Sequence, residues 1–224
     1  MNAIISFFSN NYYLLFIIYI LGFLLLVYFV FKLRNHFVGN FHEANVIRKL
    51  KKIYHKYNYP YIKEIILPIN QESYAYYDAI VFGDKFIYLL EIKNHAGTIL
   101  IDPLDDWIFI DSKKKKFVFM NPFYELELKK HILNRFLEIN KTRIIEIVVY
   151  NNATKLEGSK GKNHLISFNK LSSIIRYYEE KENVSKIPPN VIEKKGNYIL
   201  EINVKKRKIR KEVINGLKDQ RMKR

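Results

Sequence analysis

The sequence predicts a mixed α/β domain, a central sheet flanked by helices, preceded by one apolar N-terminal helix. Three observations predict it. Residues 12–31, YYLLFIIYILGFLLLVYFVF, run for 20 residues without a charge. Apolar residues recur at spacings of three and four over 46–57 and again over 128–137. Around them lie short runs rich in Ile, Val, Phe and Tyr, broken by Gly, Asp, Asn and Pro, as strands and turns require. The order is α-β-β-β with added hairpins, then α-β-β-α, that of an α/β or α+β domain.

The first element has the length of a hydrocarbon core. Six Leu, four Phe, three Ile and two Val make up 15 of its 20 residues. On an insertion scale these sum to roughly −5 to −9 kcal/mol. Tyr12, Tyr13 and Tyr28 lie near its ends, where an aromatic belt belongs. Lys32 and Arg34 follow at once, while no Lys or Arg precedes it. The expectation is a single transmembrane anchor in the cell membrane (1–31), with the rest of the chain in the cytoplasm. Lys32–Gly39 reads as a juxtamembrane linker.

Next comes a helix with Val46, Ile47, Leu50, Ile53, Tyr54 and Tyr57 on one face, ended by Tyr59-Pro60. YIKEIILPI (61–69) reads as a strand. YAYYDAIVF and FIYLLEIK follow as a hairpin around Gly83-Asp84-Lys85. TILI is a further strand, and WIFI and FVFM flank Asp111–Lys116 as a second hairpin. Asn121-Pro122 opens a helix with Leu128, Ile132, Leu133, Phe136 and Leu137 on one face. RIIEIVVY (143–150) is a strand, 151–163 a loop, HLISF a strand and KLSSIIRYYEE a helix. Residues 40–150 form the core, 151–204 an extension of it, and 205–224 a basic tail.

Thirty-eight Lys and Arg against 22 Asp and Glu leave a net charge of +16. That balance favours an anionic partner, nucleic acid or an acidic membrane surface. Cysteine is absent, which excludes disulfides and thiolate metal sites. The six histidines show no metal-ligand spacing, and no phosphate-binding glycine loop is present.

The chemistry lies in the first hairpin. If Phe82 pairs with Lys85 across Gly83-Asp84, Asp78 faces Leu89, and Asp78, Glu91 and Lys93 project on one side. A four-residue loop keeps that parity. Glu43 lies three, four and seven residues before Val46, Ile47 and Leu50, and Glu125 shares a face with Leu128 and Ile132. Buried carboxylates are costly unless paired or metal-bound. Strand and helix carboxylates can hold Mg²⁺, and a lysine beside them can orient a water and stabilise charge on a phosphate. A solvated Glu-x-Lys ion pair and helix-terminal acids are the plainer account of the same residues.

An Asp, an interval of about a dozen residues and then Glu-x-Lys resembles the PD-(D/E)xK nuclease superfamily, and more closely its nuclease-related domain, or NERD, family. The resemblance runs from Gly39 to about Tyr150. It covers Gly39 with Glu43, YDAIVF, YLLEIKNHAGTI, Trp107 and NPFYELELKKHI. It implies a restriction-endonuclease-like core and Mg²⁺-dependent cleavage of phosphodiesters, with Mn²⁺ as a substitute. Asp78 and Glu91 would be metal ligands, Lys93 would position the attacking water, and Glu43 would assist metal binding. The chain departs from the family pattern at His42, where Gly is usual, and at Glu125, where Gln is usual. Glu125 is thus an auxiliary carboxylate.

Lys113, Lys114, Lys115 and Lys116 at a hairpin tip, and Lys205, Lys206 and Arg207 in the tail, are candidate contacts for nucleic acid or anionic lipid. Three readings follow: a membrane-anchored nuclease acting on DNA ahead of RNA, a non-catalytic nucleic-acid-binding module, and a membrane-surface scaffold.

Overall fold

The computed structural model describes residues 12–93, 97–102, 104–159 and 164–222, without the side chains of 12–15, 18, 31–45 and 217–222. The chain divides into two units, Met1–Asn45 and Val46–Arg224.

In the first unit the backbone is helical from Tyr12 onward, part of helix α1 (Tyr12–Tyr57). Residues 32–39, expected as a linker, belong to this helix without a break. As helix they rise only about 12 Å. The described side chains Phe16, Leu21, Phe23, Leu24, Leu25 and Leu26 are all exposed. Among the described residues no helix is long and apolar enough to cross a membrane, so the expected span over 12–31 finds no support there.

The second unit is a mixed α/β structure with two sheets. Strands β1 (Tyr61–Pro68), β2 (Tyr74–Phe82), β3 (Ile87–Lys93), β7 (Ile144–Tyr150) and β9 (His164–Ser167) form a five-stranded sheet in the order β1-β2-β3-β7-β9. Strands β4 (Thr98–Ile101), β5 (Trp107–Ile110), β6 (Lys116–Phe119) and β8 (Lys155–Gly158) form a second, in the order β6-β5-β4-β8. β3 and β7 pair in parallel, and so do the strands that follow them, β4 and β8. Helices α2 (Pro122–Leu137), α3 (Leu171–Glu179), α4 (Pro189–Ile202) and α5 (Arg207–Met222) complete the chain. β8, α4 and α5 are additions to the sequence reading, in which 151–163 is loop and 205–224 a basic tail.

Both faces of the five-stranded sheet are covered, which is why β2 and β3 read as almost continuous apolar runs. On one face Ile80, Phe82, Ile87 and Leu89 pack with Leu126, Leu133 and Leu137 of α2. On the other, Ala79, Val81, Tyr88 and Leu90 meet Val46, Leu50 and Ile53 of α1 and Leu171, Ile175 and Tyr178 of α3. α1 stops at Asn58, which turns left-handed (φ 56) and donates its N–H to the Tyr54 carbonyl at 2.8 Å. The outer edge of β1 is also occupied. Ile66 N–H donates to Asn203 Oδ1 at 3.0 Å, and its carbonyl accepts from Val204 N–H at 2.9 Å.

Candidate active site

The β2–β3 hairpin carries the site. Its register pairs Phe82 with Ile87 and Ala79 with Leu90, leaving a four-residue loop closed by Gly83 N–H to the Phe86 carbonyl at 2.9 Å. The turn tip is therefore Asp84-Lys85, and Leu89 faces Ile80 rather than Asp78. The expected Phe82–Lys85 pairing is corrected by an even number of residues, so each side chain keeps its face. Glu179 fixes the loop from α3. Its Oε2 accepts Lys85 N–H at 2.8 Å, and its Oε1 accepts the Tyr88 hydroxyl at 2.6 Å.

α2 lies over the same sheet face. Asn121 caps it by accepting Phe123 N–H, and Pro122 occupies its first turn, where a missing N–H is harmless. Its inward stripe is Leu126, Lys129, Leu133 and Leu137, with Ile132 beside it. Leu128, expected on this stripe, is exposed, because spacings of three and four from Leu133 select 126 and 129 instead. A lysine thus sits at an apolar position. Tyr77 holds that turn of helix by donating its hydroxyl to the Lys129 carbonyl at 3.0 Å.

The result is a ring of alternating charge. Glu91 Oε1 is 2.8 Å from Lys93 Nζ, and Glu91 Oε2 is 2.8 Å from Lys129 Nζ. Lys129 Nζ reaches Glu125 Oε1 at 2.6 Å, and Glu125 Oε2 closes the ring toward Lys93 at 4.0 Å. The Glu91 side chain is 1% exposed, those of Lys93 and Lys129 8%, and that of Glu125 25%. Asp78 joins from β2, its Oδ2 accepting Ile92 N–H at 2.7 Å.

Burial pushes the Asp78 carboxyl up, and the Glu91 charge pushes it further, to about 7. Burial would also raise Glu91, but the ammonium groups of Lys93 and Lys129 outweigh it and hold the carboxyl well below its usual range. Burial would lower Lys129, yet Glu91, Glu125 and Asp78 together raise it. Two neighbouring carboxyls driven in opposite directions in a partly covered site are what acid–base and metal chemistry use.

The structure brings Asp78, Glu91, Lys93 and Glu125 together. Glu43 is helical, but its side chain lies outside the described residues, as does His95. Lys113–Lys116 are exposed at the β5–β6 hairpin, and Lys205, Lys206 and Arg207 are exposed where α5 begins; none of them is in the ring. Lys129 is absent from the residues that the sequence singles out. Its spacing of four from Glu125, on the side where Leu126 and Leu133 recur, is the signal that points to it.

The oxygen donors suit Mg²⁺, which binds through one or two carboxylates and keeps several waters. Asp78 and Glu91 would be the two carboxylates to hold it, Glu91 only once a lysine gives up one of its oxygens. Among the described residues no group of three or more His, Asp or Glu is placed to hold a metal ion.

The arrangement is that of a nuclease-related domain. The chain belongs to the nuclease-related domain family, whose model matches residues 38–151, just over half of its 224 residues. No curated protein and no solved structure matches the chain significantly.

Proposed function

We propose that the protein is a membrane-anchored, cytoplasm-facing nuclease that hydrolyses phosphodiester bonds of DNA, ahead of RNA, with Mg²⁺ or Mn²⁺. The observation that carries this reading is the buried Glu91-x-Lys93 pair beside Asp78 in a chain of the nuclease-related family. Asp78 and Glu91 would hold the cation. A bound Mg²⁺ supplies Lewis acidity at the phosphate. Lys93 orients the attacking water and donates to the developing negative charge. The net charge of +16, with Lys113–Lys116 and the start of α5 exposed, favours a polyanion. The anchor and its orientation rest on the sequence alone, the uncharged run 12–31 followed by Lys32 and Arg34.

A non-catalytic nucleic-acid-binding module is the second reading. The observation favouring it is that two lysines already neutralise Glu91. The basic tail reaching anionic lipid is compatible with either.

The full chain in detergent micelles separates the two. It is incubated with linear, circular and single-stranded DNA, with Mg²⁺, Mn²⁺ or EDTA, beside Glu91→Gln and Lys93→Ala. Metal-dependent cleavage lost in both variants supports the nuclease. Salt-sensitive binding without cleavage under either metal supports the module.

A further inference from the structure

Lys129 stands outside the Asp and Glu-x-Lys pattern, yet it holds one side of the carboxylate that the pattern requires. Both Glu91 oxygens face protein cations at 2.8 Å, Lys93 on Oε1 and Lys129 on Oε2. Neither lysine depends on Glu91 alone. Glu125 lies 2.6 Å from Lys129 and 4.0 Å from Lys93, and it is the most exposed member of the ring. Each ammonium therefore has a second carboxylate to turn to when another group claims Glu91.

We propose that Lys129 is a built-in counter-ion of Glu91 that resists a divalent cation until nucleic-acid phosphate draws it away, so that metal and substrate bind cooperatively. The inference rests on the metal site of the nuclease reading and adds to it an order of assembly. A divalent cation and an ammonium repel each other at one carboxylate oxygen. A phosphodiester offers Lys93 and Lys129 a charge-assisted acceptor instead, and a lysine can follow it because its charge sits on a flexible four-carbon stem. Glu91 is then left to act with Asp78. The coupling is reciprocal: whatever factor the phosphate contributes to metal affinity, the metal contributes to phosphate affinity. Lys129 is a positioning residue in this account, acting through Glu91.

The test is Mn²⁺ binding, read from the free-ion electron paramagnetic resonance signal. The full chain is titrated in micelles with and without a nuclease-resistant phosphorothioate duplex. The wild type is expected to bind Mn²⁺ at least tenfold more tightly with the duplex. Lys129→Met is expected to bind Mn²⁺ alone about tenfold more tightly than the wild type alone and to lose most of the dependence on duplex. Lys129→Arg, which keeps a cation, is expected to behave as the wild type. Should Lys129→Met fail to fold by circular dichroism, Lys129→Gln and the wild-type comparison decide. Equal wild-type affinity with and without duplex overturns the inference, as does a folded Lys129→Met or Lys129→Gln that binds Mn²⁺ no more tightly than the wild type. Cleavage of unmodified duplex is scored separately. Cleavage without coupling sinks this inference alone, coupling without cleavage sinks the nuclease reading alone, and absence of Mn²⁺ binding in every arm sinks both.

Discussion

Asp78 and Ile92 are joined by a hydrogen bond in which a side-chain carboxylate, not a backbone carbonyl, accepts the strand N–H, at 2.7 Å. The bond lies where regular pairing lapses on both sides of β2. Toward β3 the ladder ends at Ala79 and Leu90. Toward β1 it passes from Lys63–Ala79 to Ile65–Tyr77 and omits Glu64, which is left-handed at φ 51, and Asp78 opposite it. The interruption lets Asp78 turn its carboxylate toward β3, where it meets the N–H of Ile92, between Glu91 and Lys93.

Asp78→Asn tests how this carboxyl is held. Its folded-state value near 7 lies above the ordinary 3.8, so the native state favours the protonated form. That preference stabilises the fold fully below about pH 4 and is lost as the pH rises through 7. Asparagine keeps an acceptor for Ile92 N–H without the charge. Urea unfolding should show the variant about 2–3 kcal/mol more stable than the wild type at pH 8 and no more stable at pH 4. Equal differences at the two pH values would contradict a raised Asp78.

Glu91→Ala should destabilise the fold strongly. Removing one partner from a buried ion pair leaves the other charge uncompensated, which costs about 3–5 kcal/mol. Here two ammonium groups are left. Glu91→Ala/Lys129→Met should regain at least ~1 kcal/mol relative to Glu91→Ala. A double variant less stable than the single would show that Lys129 draws its support mainly from Glu125.

Gly83 has no room for a side chain. A Cβ there would run into the Glu179 carboxylate and lie 3.0 Å from the Phe86 carbonyl oxygen. Gly83→Ala should lower stability by about 1–3 kcal/mol, since the crowding carboxylate also holds Lys85 N–H and the Tyr88 hydroxyl. Thermal melting reads this directly, and an unchanged midpoint would mean that Glu179 moves aside at no cost.

Lys113–Lys116 carry a prediction about nucleic acid. The Asp111 carboxylate accepts the N–H groups of Lys113 and Lys115 at 2.8 and 2.9 Å, and Lys114 is left-handed at φ 61. The turn is thus set by the Asp111 carboxylate and not by the lysine side chains, and those four side chains are exposed. Replacing all four by alanine should leave stability unchanged. It should lessen the slope of log affinity against log salt for duplex DNA by about 0.9 for each phosphate that the hairpin no longer neutralises. An unaltered slope would remove this hairpin from the interface.

Much of this is legible because strands alternate and helices repeat. Asp78, Glu91 and Lys93 fall on one face even under a displaced register, and the placement survives because the displacement is even. Lys129 escapes the sequence for a related reason. Leu128 fits the inward stripe of α2 by composition, and an exposed leucine with a buried lysine next to it inverts what composition suggests. β8 offers only Leu156 among Lys155, Glu157 and Gly158, and its pairing with β4 is a long-range fact that no local pattern carries. In α5 the run of Lys and Arg hides the partly buried positions Ile209, Val213 and Ile214.

The closure of β1 by Asn203 and Val204 bears on how the folded molecule behaves in company. An edge strand with free N–H and C=O groups is a template for another chain. Here Arg210 extends the cover, its guanidinium donating to the Glu64 carbonyl at 3.0 Å. A chain ending before Asn203 would keep its charge ring and core sheets but bare this flank. Its failure would be self-association into dimers and larger aggregates, visible by light scattering at concentrations where the full chain stays monodisperse. The C-terminal segment thus occupies the one flank of β1 on which fibrous assembly could be templated.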